Sequence, residues 1–254
     1  MKKRVGLIVA VAAALVAATL AGVWLGNRTS PTTATSSTTP TSNTTTASTI
    51  TAGTVAAGEG GSLPGPGTLK LGYAHTPDGA VAAITNYVMA ANDKTNLADP
   101  AYRTALVNAI ALDESSKAGL NRVVDHDKSA SAGYGVWRWE PRRGAYAIRA
   151  YSSDHAEVAL WAPYYWAEPT QPTSLVGSAW GISVYAAEWS GGDWKITSLG
   201  GDLVTDDSTV DLPMLANSEG NPTRAEKAAV LTTPRGGTAR LWALSWTEYA
   251  NAVR

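Results

Sequence analysis

The chain has 254 residues, a formal net charge of −1, 44% hydrophobic residues and no cysteine. Without cysteine there can be no disulfide, no metal-thiolate site, no thiol nucleophile and no lipid-modified cysteine anchor. From Leu71 onward the chain carries 15 Lys and Arg against 20 Asp and Glu, and this mildly acidic balance argues against binding nucleic acid through that part's own surface.

At the N-terminus, Lys2, Lys3 and Arg4 precede an uncharged apolar run that begins at Val5 and ends at Leu25. As a helix at ~1.5 Å per residue this run reaches about 31 Å, the hydrocarbon thickness of a bilayer. Three basic side chains on one flank against Arg28 on the other predict a cytoplasmic N-terminus, an extracytoplasmic remainder, and Trp24 at the interface. Thr19-Leu20-Ala21 resembles a small-x-small cleavage site and gives a cleaved signal peptide as the rival reading. The continuation of the run through Val23, Trp24 and Leu25 favours a single-pass signal-anchor over residues 1–26.

Residues 27–67 hold 13 Thr and only two charges, Arg28 and Glu59. With no apolar periodicity, such a segment buries too little surface to offset its ordering entropy and is predicted to be a disordered linker. It reads either as a passive spacer across a cell-envelope layer or, from its Thr/Ser/Pro content, as a glycosylated stalk.

Residues 68–254 are long enough for one domain with a real core, and all ten tyrosines and nine of the ten tryptophans lie there. Thr76-Pro77-Asp78 is a helix start, followed by Val81, Ile84, Tyr87 and Val88 at helical spacing and closed by Asn92-Asp93. Asp99-Pro100 repeats the signal and opens a second helix through Tyr102, Leu106 and Ile110, and a third carries Leu120, Val123 and Val124 on one face. After Gly135 the period changes to two. Trp137 and Trp139, then Tyr146, Ile148 and Ala150, mark strands, and extended apolar runs follow from Ala156 to Trp166 and from Trp180 to Trp189. Gly191-Gly192 turns the chain into a strand from Trp194 to Leu199. Helices followed by consecutive strands predict an α+β fold, three short helices packed on one face of a curved antiparallel sheet. Ser245-Trp246-Thr247-Glu248 fits a capping box and predicts a C-terminal helix with Trp246, Tyr249, Ala250 and Val253 on its apolar side.

The helices from Thr76 and the strand pair Tyr185-Ala186-Ala187-Glu188-Trp189-Ser190-Gly191-Gly192-Asp193-Trp194-Lys195-Ile196 resemble the bacterial nuclear transport factor 2-like (cone-shaped α+β) superfamily. More narrowly, His75-Thr76-Pro77-Asp78-Gly79-Ala80-Val81-Ala82-Ala83 followed by Asn86-Tyr87 resembles the opening of a domain of unknown function in actinobacterial membrane proteins often found in integrative conjugative elements. The resemblance covers roughly residues 71–201. It implies an extracytoplasmic scaffold like the assembly subunits of conjugative channels and the Mce-associated proteins of lipid importers, in which the domain makes protein contacts. The roughly fifty residues after Leu203, with Asp202 just ahead of them and Asp206, Asp207 and Asp211 near their start, lie outside the resemblance.

Enzymes of that superfamily use a conical aromatic pocket with an acid and a histidine or tyrosine. The titratable candidates here are His75, Asp125, His126, Asp127, Asp154 and His155, none within a defining motif. Asp125-His126-Asp127-Lys128 reads as a solvated turn where a helix gives way to a loop, and His126 lacks a second histidine at ligand spacing. Arg142-Arg143 reads as an exposed turn. No Gly-rich phosphate loop and no Gly-x-Ser-x-Gly elbow is present, so the sequence assigns no catalytic residue, cofactor or metal.

Tyr164-Tyr165-Trp166 and the tryptophans at 161, 180, 189 and 194 are core, partner interface or pocket lining, and in a chain without phenylalanine they do the bulky packing. The reading that follows is a single-pass membrane protein whose extracytoplasmic domain is an interaction scaffold in an envelope or conjugative transfer assembly, contacting envelope-complex proteins or itself through exposed aromatics such as Tyr164 and Trp246. The alternative is a tethered small-ligand-binding or enzymatic domain with a conical aromatic pocket, which requires a deep pocket holding a buried acid or histidine.

Overall fold

A computed structural model describes residues 50–131, 136–167, 175–201, 222–231 and 244–253. The chain divides into two units, Met1–Ser48 and Thr49–Arg254, and all described residues belong to the second. The anchor expected between Val5 and Leu25 lies outside the described residues. Among these, no helix is long and apolar enough to cross a membrane.

The unit is α+β with a mixed sheet. In chain order it contains β1 (Thr51–Ala52), β2 (Leu63–Pro64), β3 (Lys70–Leu71), α1 (Pro77–Ala91), α2 (Lys94–Leu97), α3 (Pro100–Ile110), α4 (Glu114–Ser131), β4 (Val136–Trp139), a 3-10 turn (Pro141–Arg143), β5 (Ala145–Tyr151), β6 (His155–Ala167), β7 (Leu175–Ser190), β8 (Asp193–Gly201), α5 (Arg224–Leu231) and β9 (Thr247–Glu248). The sheet order is β1-β9-β5-β6-β7-β8, with β4 also paired to β6 and so lying end to end with β5 along that strand. One pair, β1 with β9, is parallel, so the sheet is mixed rather than wholly antiparallel.

The expected helix signals are used as such. Thr76 accepts from the Gly79 amide at the start of α1, and Pro77 supplies a first-turn residue that needs no donor. Asp99 accepts from the Ala101 amide and opens α3 behind Pro100. Gly79 through Val88 of α1 are all buried, so this helix is enclosed around its whole circumference, as an apolar helix in a domain centre must be. β7 and β8 meet in a two-residue turn in which Gly191 and Gly192 both have positive φ, 62° and 80°, the pairing that suits a tight hairpin.

One polar group fastens the helical layer to that hairpin. Asp193, buried at its tip, accepts from the Tyr87 hydroxyl at 2.6 Å, the Tyr73 amide at 3.0 Å and the Trp194 amide at 2.9 Å. Burial, and then the hydrogen bond it donates to Asp193, pushes the Tyr87 hydroxyl far above its ordinary range, so it stays a donor. Asn86 extends the network by donating to the Tyr73 hydroxyl at 2.7 Å and to the Glu59 carbonyl, while it accepts from the Gly58 amide.

Two expectations are corrected. Part of the segment read as linker is packed: Ile50, Val55 and Ala57 are buried, and residues 51–52 form β1. Few apolar residues suffice there because the C-terminal segment supplies the backbone partners. The Gly53 amide donates to Glu248 O at 2.9 Å, the Ala250 amide to Val55 O at 2.7 Å, and the Asn251 side chain takes both the amide and the carbonyl of Ala57 at 2.9 Å. The second correction is that residues 245–253 form no helix. Trp246 packs in one core and Tyr249 in the other, opposite faces of the sheet; residues three apart share a helix face but alternate across a strand. The Ser-x-x-Glu pattern is short, and strand pairing on both flanks of β9 prevails over it.

Asn251→Ala leaves a buried amide and carbonyl of Ala57 without partners, and the expected loss is about 2 kcal/mol. A lowered urea midpoint with an unchanged m-value is the predicted result; an unaltered midpoint removes the clasp from the account of stability.

Candidate interaction site

Of the six titratable candidates, the fold gathers three. His75, just ahead of α1, and Asp154 and His155, in and after the β5–β6 turn, meet at the end of the sheet beside the β7–β8 turn. The His75 ring stacks on Trp189 with centroids 4.0 Å apart and planes 5° from parallel, and its Nε2 meets the Ser153 carbonyl. Trp194 lies edge-on to both rings and donates through Nε1 to Ala74 O at 3.0 Å, and the Tyr151 ring is centred 5.9 Å from it. The Asp154 carboxylate accepts from the Ser152 hydroxyl at 2.6 Å, which with its own backbone amide holds it below the usual carboxylate range. His155 sits 3.7 Å from Glu157. His75, Tyr151 and Asp154 are exposed. These groups lie at the surface and take part in ring stacking and turn closure. Among the described residues no group of three His, Cys, Asp or Glu is placed to hold a metal.

The others lie elsewhere. Residues 125–128 continue helix α4 instead of leaving it, and the exposed Asp125 there pairs with Arg103 of α3 at 2.6 Å. The side chains of His126 and Asp127 lie outside the described residues. Arg142 is exposed as expected, but Arg143 turns inward, with its guanidinium 5.0 Å over the Tyr165 ring and donating to the Tyr165 hydroxyl at 3.2 Å. Tyr164 is half-buried against Trp139. Trp246 is not an exposed aromatic: at 2% exposure it lies in the second core, because β9 directs it onto the sheet.

The interior where a conical pocket would open is packed. Between the helices and the sheet, Tyr87, Ile84, Leu106, Leu160, Trp194 and Ile196 are at most 2% exposed. A polar groove of about 350 Å³ exists instead on the outside of the helical layer, lined by Thr104, Asn108, Glu114, Lys117 and Asn121.

A second core, unforeseen from the sequence, covers the opposite face of the sheet. Trp161 and Trp180 stack there with centroids 4.1 Å apart, beside Ile182 and Val184. Ile50, Trp246, and Val230 and Leu231 of α5 close it. The helix α5 is opened by a real capping box, in which the Thr223 hydroxyl and amide both donate to Glu226 and the Glu226 amide donates back to the hydroxyl. Its inner turn carries Lys227, wholly buried, 2.9 Å from the equally buried Glu248 carboxylate, while Arg224 donates to the second oxygen at 2.7 Å. Lys227 also donates to Gly144 O at 3.3 Å. Burial opposes ionisation of Glu248, but the bonds and charges of Arg224 and Lys227 outweigh it and hold the carboxyl below the ordinary glutamate range. The spacing Thr-x-x-Glu at 223–226 was the one available signal for this helix.

The geometry defines an α+β domain with a hydrophobic core on each face of its sheet. The chain belongs to the family described as a domain of unknown function (DUF8175), whose match runs over residues 26–218. No curated protein matches it. Among solved structures it is similar to the intermembrane space region of the chloroplast protein ARC6, at 18% identity and a TM-score of 0.28, over 46% of this chain and 93% of that one. A likeness of that size carries no argument about the fold.

Glu248→Gln leaves Lys227 buried without its anion, with an expected loss of about 3–5 kcal/mol. Because the carboxyl is lowered in the folded state, its contribution is fully present above the unfolded value of about 4.3 and is lost as pH falls through the folded value. Urea midpoints measured from neutral pH downward should therefore fall more steeply below about pH 4 for the native chain than for the variant. Parallel curves would remove this carboxylate from the acid response.

Proposed function

We propose that the chain is a single-pass membrane protein whose domain from Ile50 onward works outside the cytoplasm as a protein-interaction scaffold in a cell-envelope or conjugative transfer assembly, partnering other envelope proteins or itself. The apolar run from Val5 to Leu25 behind three basic residues supports the location. The order of helices and then long paired strands supports a nuclear transport factor 2-like cone. The observation that carries the reading is the packed interior: the aromatic residues that would line a ligand cavity fill two cores instead, and the titratable candidates that come together do so at a surface. A tethered domain of this kind recognises through its surface.

The test is crosslinking of the full chain in its native membrane with mass spectrometry of the captured proteins. Envelope-channel subunits joined to residues in 50–253 are the expected catch. Recovery of the chain alone, where known complexes in the same membranes are captured, overturns the scaffold reading. Location is tested separately. Because the chain lacks cysteine, Thr68→Cys at an exposed position adds a single thiol, and a membrane-impermeant maleimide should label it in intact cells; labelling only after lysis places the domain inside.

A further inference from the structure

The two sides of the sheet end differently. Along β8 the outer edge is closed, with the Leu112 amide donating to Ile196 O at 3.0 Å and α4 packed against the strand. On the other side β9 pairs with β5 at Tyr146 and goes no further. From Ile148 to Tyr151, no backbone hydrogen bond among the described residues reaches β5 from the side away from β6. All four of these residues are exposed. Of the three large hydrophobic side chains exposed among the described residues, two stand here, Ile148 and Tyr151. Open edges are ordinarily blunted by a charge or a bulge, and in this stretch both are present without that effect. The charge of Arg149 is taken up by Glu157 at 3.3 Å. The bulge sets Arg149 and Ala150 together against Glu157 of β6, so Ile148 and Tyr151 stand opposite Val158 and Ala156 of the first core and share that face. The result is an apolar pair flanking a neutralised middle, on a backbone whose outward amides and carbonyls have no protein partner.

We propose that this edge is a dimer interface, on which β5 of a second copy of the chain pairs antiparallel with β5 about a two-fold axis between Arg149 and Ala150. The proposal rests on the scaffold reading's allowance for self-association and supplies its contact. Ile148 then faces the partner's Tyr151 and Tyr151 the partner's Ile148, two aliphatic-aromatic cross-strand pairs on one face. Arg149 faces the partner's Ala150, so the arginines are not set directly against each other. The bulge decides between a second copy and a foreign strand. A regular strand laid along β5 falls one residue out of step at Arg149, and beyond that point its side chains point to the wrong faces. A second copy brings the same extra residue at the same place, and the faces stay matched. Both copies carry the same unpaired edge, and one isologous contact satisfies both at once.

Because the chain has no cysteine, its register can be read with single thiols. Two differently tagged full chains, Ile148→Cys and Tyr151→Cys, are co-expressed, and their membranes are oxidised with copper phenanthroline. In the proposed register the two thiols are cross-strand neighbours, with Cβ atoms ~4.5–5.5 Å apart. Two copies of the same variant hold their thiols three residues out of step, about 10 Å apart, beyond disulfide reach. A disulfide between the two variants is the expected product. Its absence, or same-variant disulfides in equal yield, overturns the proposal. Sedimentation of the native chain in detergent should show a dimer. Ile148→Lys, which counts twice in a two-fold contact, should raise the dimer Kd at least ~10-fold, and adding Tyr151→Glu to it should restore the dimer through opposite charges. Both positions are exposed in the protomer, and unchanged urea midpoints check that these variants fold. A monomeric native chain, or a dimer indifferent to Ile148→Lys, overturns the proposal as well. The capture of envelope proteins fails independently. The mixed disulfide without captured proteins keeps the dimer and loses the assembly, whereas captured proteins without the disulfide keep the assembly and remove this dimer.

Discussion

Strands β6 and β7 are apolar on both sides, and neither side can be left to water. Along β6, Ala156, Val158 and Leu160 face the helices while Ala159 and Trp161 face away, and β7 does the same with Tyr185 and Ala187 against Ile182 and Val184. Each large side chain removed from water contributes about 1.5–3 kcal/mol, so a sheet of this composition demands two covers. The helices α1, α3 and α4 form one. The other is assembled from pieces far apart in sequence: Ile50 ahead of the helices, and α5 and Trp246 near the chain's end.

That demand explains why the two ends of the domain are joined. A short segment such as residues 50–57 has too little apolar surface to hold itself in place, and so does β9. Paired with each other they satisfy one another's backbone, place Ile50 and Trp246 on the second core, and place Val55, Ala57 and Tyr249 on the first. The same constraint gives the buried triad its shape. A helix brought over the second core by Val230 and Leu231 carries Lys227 inward, and a buried ammonium is tolerated only against a carboxylate, which β9 supplies.

Much of the first layer was legible residue by residue. Thr76-Pro77 and Asp99-Pro100 start helices wherever they stand, because the capping oxygen and the proline act on their own next turn. Gly191-Gly192 closes a hairpin because only residues at ease with positive φ fit two successive turn positions. What escaped was non-local. Ile50 lies in a Thr-rich stretch whose average hides it, Glu248 reads as a capping residue until β1 and β5 flank it, and nothing near Trp246 tells that it will be enclosed. His75 and Asp154 stand some eighty positions apart, and only the hairpin ends bring them together.

By itself the sequence determined the helices α1, α3 and α4, the run of strands from β4 to β8, the hairpin, the absence of thiol chemistry and an uncharged apolar run near the start, since each depends on neighbours within a few residues or on composition. Tertiary structure alone decided where the domain begins, that the last residues run as a strand instead of a helix, and that the tail covers the sheet's second face. Those outcomes depend on which distant segment offers unpaired backbone or bare apolar surface, a quantity that no local window of sequence contains.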